Sequence, residues 1–306
     1  MKVGFIGLGT MGGAMALNLR KAKFDLVVHD LRAEIAKPVL DAGASWADSV
    51  QALGKSVDVV LTSLPGPRET EAVGADLMAS MKRGGVWFDL TTNSPTVVRS
   101  LSARCAEHGI TMLDAPVSGG PHGAKSGKMA LLVGGDEKTF NDRREVLDAI
   151  GDQVIYIGPI GAGTVAKLVH NCAGYAIQTA LAEVFTVGVK AGVDPLALWA
   201  AVRQCSLGRQ RTFDRLGRQF LQGSFDPPDF ALKLALKDVT LATELGRELG
   251  VPMRIANLAH ADMTEALNRG WGSRDSRISM LLQEERAGVD IKVPAAAIQA
   301  VLQKDG

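Results

Sequence analysis

From Thr164 to Lys190 the chain runs without a proline, and almost every residue is apolar or small. A helix over that stretch would be roughly 40 Å long at 1.5 Å per residue. Val, Leu, Ala, Ile and Phe take up most of its circumference, the pattern of a helix buried on nearly all sides. Lys167, Asn171, Gly174 and Gln178 are spaced by four, three and four, which puts them on one stripe of one face. A lysine in that setting must snorkel outward, find a partner or point into a cleft. Before this helix the sequence alternates strand and helix; after it, helix alone is expected. The stretch therefore reads as a long helix between two domains, with its polar stripe facing the gap. The chemistry is expected on that stripe.

A chain of 306 residues suits two domains of ordinary size. A formal net charge of +1 gives no reason to expect nucleic acid or an acidic surface as partner. Lys167, His170, Asn171, Gln178 and Glu183 interrupt the apolar run, so no membrane span is expected. Strand-like sequence from Lys2 leaves no room for a signal peptide. Cys105, Cys172 and Cys205 have neither metal-ligand spacing nor a disulfide framework. A cytoplasmic location and no metal are the corresponding expectations.

Lys2-Val-Gly-Phe-Ile6 ends in Gly7-Leu8-Gly9-Thr10-Met11-Gly12, and Ala14 to Arg20 continues at helical spacing. Strand, glycine triplet and helix are the context in which G-x-G-x-x-G marks a dinucleotide site. Gly7 permits the tight turn, Gly9 lets backbone approach a pyrophosphate, and Gly12 lets helix and strand pack closely. The helix N-terminus offers N–H groups and positive dipole to the phosphates. Asp25 to His29 reads as the second strand. Asp30 at its end is placed to hold both ribose hydroxyls of an adenosine. A 2′-phosphate would meet that negative charge, which favours NAD, although Arg32 keeps NADP open.

Further strands are predicted over 57–61, 86–90, 110–113, 129–133 and 154–157, with a helix over 136–150. Leu64-Pro65-Gly66-Pro67 and Thr91-Thr92-Asn93-Ser94-Pro95 are loops at strand ends, as is Asp114 to Gly123. Ligands bind at such ends, near the point where strand order reverses. Past Lys190, Asp194-Pro195 makes a helix start. Helices are predicted over 196–205, 209–221, 230–249, 253–269 and 275–287. The division expected is a dinucleotide-binding domain over 1–162, an all-helical domain over 163–295 and a loose tail over 296–306. In class this is α/β: a Rossmann-type doubly wound sheet plus a C-terminal all-α domain, joined by the long helix.

Ser118-Gly119-Gly120 can turn successive N–H groups inward as an anion nest. Combined with Lys167 and Asn171, it could hold a carboxylate, move a proton and bond a hydroxyl. Hydride transfer from a hydroxyl carbon needs a base, and its reverse an acid. A lysine serves either way if burial lowers its pKa. Histidine is the commoner base. Yet His170 points partly off the stripe and reads as a packed or capping residue, while His122 sits on a Pro-His-Gly tip facing solvent. Arg203, Arg209, Arg211, Arg215 and Arg218 read most simply as a solvated surface.

The chain resembles the β-hydroxyacid dehydrogenase family, the group of 3-hydroxyisobutyrate dehydrogenase and tartronate semialdehyde reductase. Four blocks carry the resemblance, in order along the whole chain. They are Gly4 to Leu19, Asp114-Ala-Pro-Val-Ser-Gly-Gly120, Gly161-x-Gly163-x-x-x-Lys167-x-x-x-Asn171, and Lys237-Asp238. The resemblance implies that Lys167 is the catalytic acid/base and that Ser118, Gly119, Gly120 and Asn171 hold the substrate. It implies that Gly7, Leu8, Gly9, Thr10, Met11, Gly12, Asp30, Leu64, Pro65, Thr92 and Lys237 contact the cofactor. It further implies NAD, a small 3-hydroxy acid or its semialdehyde as substrate, and a homodimer or homotetramer. Imine reductases share the cofactor half but usually replace the lysine. A non-catalytic cofactor-binding module would tend to lose it. The chain is too short for the extended helical part of 6-phosphogluconate dehydrogenase.

Overall fold

A computed structural model describes the chain except residues 210, 211, 213–215, 217, 218, 289, 305 and 306. Some helical side chains also lie outside the described residues, among them those of Cys172, Gln178, Lys237 and Asp238. The chain divides into two compact units, Met1–Ala173 and Gly174–Gly306.

In the first unit, nine strands among the described residues form one sheet. They are β1 (Lys2–Ile6), β2 (Asp25–His29), β3 (Ser45–Trp46), β4 (Val59–Thr62), β5 (Val86–Asp89), β6 (Thr111–Asp114), β7 (Val117–Ser118), β8 (Ala130–Gly134) and β9 (Gln153–Gly158). The order is β3-β2-β1-β4-β5-β6-β8-β7, with β9 paired to β8. The first six are all parallel. β8 then runs antiparallel to β6 and β7.

Alternation along each strand explains the double winding. Val3, Phe5, Leu26, Val28, Val59, Leu61 and Phe88 pack into one core cluster. Ile6, Val27, Val60 and Trp87, one residue out of phase, pack into another. With successive side chains on opposite faces, a strand apolar at every position needs helices on both sides. Those helices are α1 (Gly12–Lys21), α2 (Lys37–Asp41), α3 (Val50–Ser56), α4 (Pro67–Met78), α5 (Pro95–Glu107), α6 (Gly120–Ser126) and α7 (Glu137–Asp148). The expected solvent-facing tip at Pro121-His122-Gly123 is instead the first part of α6, with proline in its first turn, where a missing N–H costs nothing. His122 is exposed on it.

The long helix α8 spans Ala162–Lys190, 29 residues, and passes from the first unit into the second. Burial on nearly all sides was expected, but Val169 (57%), Leu181 (50%) and Val184 (49%) are exposed in the single chain.

The second unit is mostly helical, with α-helices at Pro195–Arg203, Leu232–Glu248, Arg254–Ala266, Leu281–Ala287 and Ala295–Lys304. Its larger core holds Phe220, Phe225, Leu232, Ala266, Ile278 and Leu282. The helix predicted over 209–221 falls largely on residues outside the described ones. The expected loose tail is a correction: Ala295–Lys304 is helical and buries Ile298. Three alanines after Pro294 start it, and alanine loses no side-chain entropy in a helix. No helix among the described residues is long and apolar enough to cross a membrane.

Candidate functional site

Strand order reverses between β2-β1 and β4, and there a cavity of about 670 Å³ opens at the strands' carboxyl ends. Gly7, Gly9, Thr10, Met11, Gly12, Asp30, Leu64 and Pro65 all line it. Gly7 has φ 92°, and a Cβ there would lie 2.3 Å from Ser63 O. A Cβ on Gly12 would lie 1.9 Å from Gly7 O, so helix and turn touch through bare backbone. A Cβ on Gly9 would meet nothing within 4 Å. Two glycines are thus used up by packing, and the third leaves bare backbone beside open space, as a pyrophosphate requires. Asp30 accepts from Leu8 N (2.8 Å) and Arg32 N (2.9 Å), which fixes its carboxylate at the cavity wall. Leu8 itself is buried in the core, so its part in the turn is that N–H. The residues present fit a dinucleotide.

A second cleft of about 320 Å³ is lined by Ser118, Gly119, Gly120, Lys167, His170 and Asn171, with Met11, Leu64, Thr91 and Thr92 among its other walls. Met11, Ser63 and Leu64 line both cavities, so the two adjoin at those residues. Gly119 and Gly120 have φ of 141° and 59°, the backbone of a tight turn. Lys167 is only 8% exposed. Burial pushes its ammonium below the ordinary lysine range. Among the described residues, no carboxylate lines this cleft to oppose that shift. His170 Nδ1 lies 3.1 Å from Asn171 Oδ1. Contrary to the packed role expected of it, His170 is exposed and lines the cleft.

Residues 2–158 match the family described as the NAD binding domain of 6-phosphogluconate dehydrogenase. Residues 161–282 match that described as the NAD-binding domain of NADP-dependent 3-hydroxyisobutyrate dehydrogenase. A 2-(hydroxymethyl)glutarate dehydrogenase of Eubacterium barkeri is 32% identical over 294 residues, covering 95% of this chain and 97% of the relative. The chain belongs to the β-hydroxyacid dehydrogenase family. Among solved structures, a Mycobacterium tuberculosis 3-hydroxyisobutyrate dehydrogenase with L-serine is 27% identical, with a TM-score of 0.65 over 92% of this chain and 98% of the other. An imine reductase from Myxococcus stipitatus with NAD+ has a TM-score of 0.81 at 18% identity, over 91% of this chain and 98% of the other. At that identity the likeness shows the fold alone.

A β-hydroxyacid dehydrogenase is an NAD(P)-binding oxidoreductase of small hydroxy acids, and most of the residues predicted from the sequence of this member line one or other of the two cavities. The turn at Gly7 to Gly12, Asp30, Leu64 and Pro65 surround the first cavity, while Ser118, Gly119, Gly120, Lys167, Asn171 and Thr92 surround the second. Lys237 lies on helix Leu232–Glu248 of the other unit, and its side chain, like that of Gln178, falls outside the described residues. Arg209 is exposed and bonds Gln204; Arg211 is outside the described residues.

Motif reading gave no role to two buried acids. Asp89, fully buried, accepts from Thr62 Oγ1 (2.8 Å), Thr91 N (3.2 Å) and Asn93 Nδ2 (3.0 Å). Thr91 Oγ1 in turn accepts from Leu64 N at 3.1 Å. One chain of bonds therefore fixes the loops after β4 and β5. Asp114, in register with Asp89 on the next strand, reaches the start of α8 instead. Burial raises both carboxyls above the usual range, and their hydrogen bonds oppose the shift. The available signal was position: an acid closing an otherwise apolar strand.

Proposed function

We propose that this chain interconverts a small 3-hydroxy acid and its semialdehyde, using NAD in preference to NADP, with Lys167 as general acid/base. The observation that carries the reading is a buried lysine with no carboxylate beside it among the described residues, in a cleft that shares walls with the dinucleotide cavity. Bound NAD would supply the nicotinamide ring that accepts the hydride. In the oxidation, Nζ of neutral Lys167 takes the hydroxyl proton as the C–H hydride departs, and the C=O bond forms. In the reverse direction the ammonium returns that proton. The lowered pKa increases the share of neutral amine at any given pH below the ordinary lysine range. Asn171 offers an amide to the hydroxyl without adding charge. The backbone N–H groups of Ser118, Gly119 and Gly120 are the candidate holders of the carboxylate.

Asp30 supports NAD, since its fixed carboxylate accepts hydroxyls and repels a 2′-phosphate. The test is a panel of hydroxyisobutyrate, glycerate, serine and threonate, with 4-hydroxybutyrate as off-class control, followed by NADH absorbance. Turnover of at least one 3-hydroxy acid well above the control is the expected result. Reduction of cyclic imines with no hydroxy acid oxidised would replace the reading by the imine reductase one.

A further inference from the structure

The first turn of α8 has no cap of its own. Gly161, just before the helix, has no side chain to bond the N–H groups a helix start leaves open. Asp114 supplies the missing acceptor from the end of β6. Its Oδ1 accepts from Gly161 N at 2.7 Å, and its Oδ2 accepts from Thr164 N at 2.6 Å and Thr164 Oγ1 at 2.7 Å. At 1% exposure it has no access to water as an alternative partner. The two backbone groups it binds are those a capping box would satisfy, reached here across 47 and 50 residues of sequence.

That clamp joins the end of β6 to the helix that carries Lys167 into the second cleft. Thr164 precedes Lys167 by three residues, so both project from one side of successive turns. Ser118 follows Asp114 by four residues, and its strand β7 is held on β8 in the register Ser118–Ala130. The same β8 carries the start of α8, where a Cβ on Gly163 would lie 2.0 Å from Leu132 O. Asp114 thus closes β6, three residues before the strand β7 that leads into the anion turn, and caps the helix that bears the amine.

We propose that Asp114, with Thr164 as its partner, is a positioning residue that sets where the Lys167 amine stands relative to the Ser118–Gly120 turn. The proposal rests on Lys167 being the acid/base. Among the described residues, His170 on α8 itself is the other titratable group lining the cleft, and β5 and β6 contribute the buried Asp89 and Asp114. A loosened first turn would let the amine reach water and lose the burial that holds its pKa down.

Thr164→Val removes one of three donors to Asp114 and keeps the volume; Thr164→Ser restores the hydroxyl. The measurements are kcat and KM for the preferred hydroxy acid, NADH Kd by fluorescence, and the pH dependence of kcat/KM in the oxidative direction. Thr164→Val is expected to lower kcat about tenfold, as a small misplacement at a catalytic group does. Its NADH Kd should stay within about twofold while the rising limb of the pH profile moves to higher pH, and Thr164→Ser should reverse both changes. Asp114→Asn, which turns an amide toward two N–H groups, should be worse; if it does not fold, the Thr164 pair decides. An unchanged kcat and pH profile in Thr164→Val, with only a lower Tm, would leave Asp114 as a helix cap and overturn the proposal. Lys167→Ala, run in parallel, separates the two ideas. If it keeps turnover, the acid/base reading falls and this proposal falls with it. If it is inactive while Thr164→Val behaves as wild type, only the positioning role is lost.

Discussion

The cavity beside β1 and the cleft beside β6 open at the same edge of one sheet but are held in different ways. At β1 the turn is fixed by the absence of side chains: Gly7 and Gly12 let backbone meet backbone where one methyl would collide. At β6 the start of the helix opposite is fixed by a side chain, the Asp114 carboxylate, which reaches across to α8. The first device is local in sequence and works by shape. The second is long-range and electrostatic, and anchors the first turn of the helix that bears Lys167. The dinucleotide cavity and the placement of Lys167 are therefore expected to respond to different substitutions.

The largest effect should come from the β6 side. Lys167→Ala is expected to lower kcat by about 10²–10⁴ with NADH Kd within about twofold, measured by steady-state kinetics and fluorescence titration. Normal turnover would remove the acid/base from the cleft. On the β1 side, Gly12→Ala should do the converse and weaken NADH binding by about 10–100-fold, since overpacking by one methyl costs about 1–3 kcal/mol. Unchanged affinity would mean that the turn can open without loss.

Asp30→Ala sharpens the cofactor half further. It should narrow the kcat/KM preference for NAD over NADP by about tenfold, equivalent to about 1.4 kcal/mol. An unmodified chain that prefers NADP would give the 2′ position to Arg32 instead. The smallest effect concerns stability. Burial depresses the Lys167 pKa, so the folded chain is penalised for the charged form at pH values below that depressed pKa. The penalty is relieved as pH rises through the depressed value toward the ordinary 10.5. Lys167→Met should therefore raise Tm by about 2–4 °C near neutral pH, with the gain shrinking in alkaline buffer. A gain that grows with pH would contradict the burial argument.

Sequence alone carried the β1 half well because its signals are short-range. Three glycines within six residues and an acid ending the next strand name the crevice before any coordinates exist. Lys167 and Asn171 were legible as a stripe because helical spacing is regular. Their cap was not, because Gly161 gives no hint of the partner that replaces its missing side chain. His170 was misjudged for a related reason: spacing gives an angle around the helix, while exposure depends on what covers that angle. α6 was hidden by Pro121 and Gly123, which read as loop until their place in a helix's first turns is known. Exposure of Val169, Leu181 and Val184 likewise depends on neighbours that a hydrophobic pattern cannot name.

The boundary between the compact units falls after Ala173, so the first turns of α8 are counted with the sheet and the remainder with the helical half. Inheritance follows from that. In a chimera joined between Ala173 and Gly174, Lys167, the Asp114 carboxylate that caps its helix and the nucleotide crevice would all descend from the N-terminal parent. Changes in activity on swapping the C-terminal parent would then report on the helical half alone.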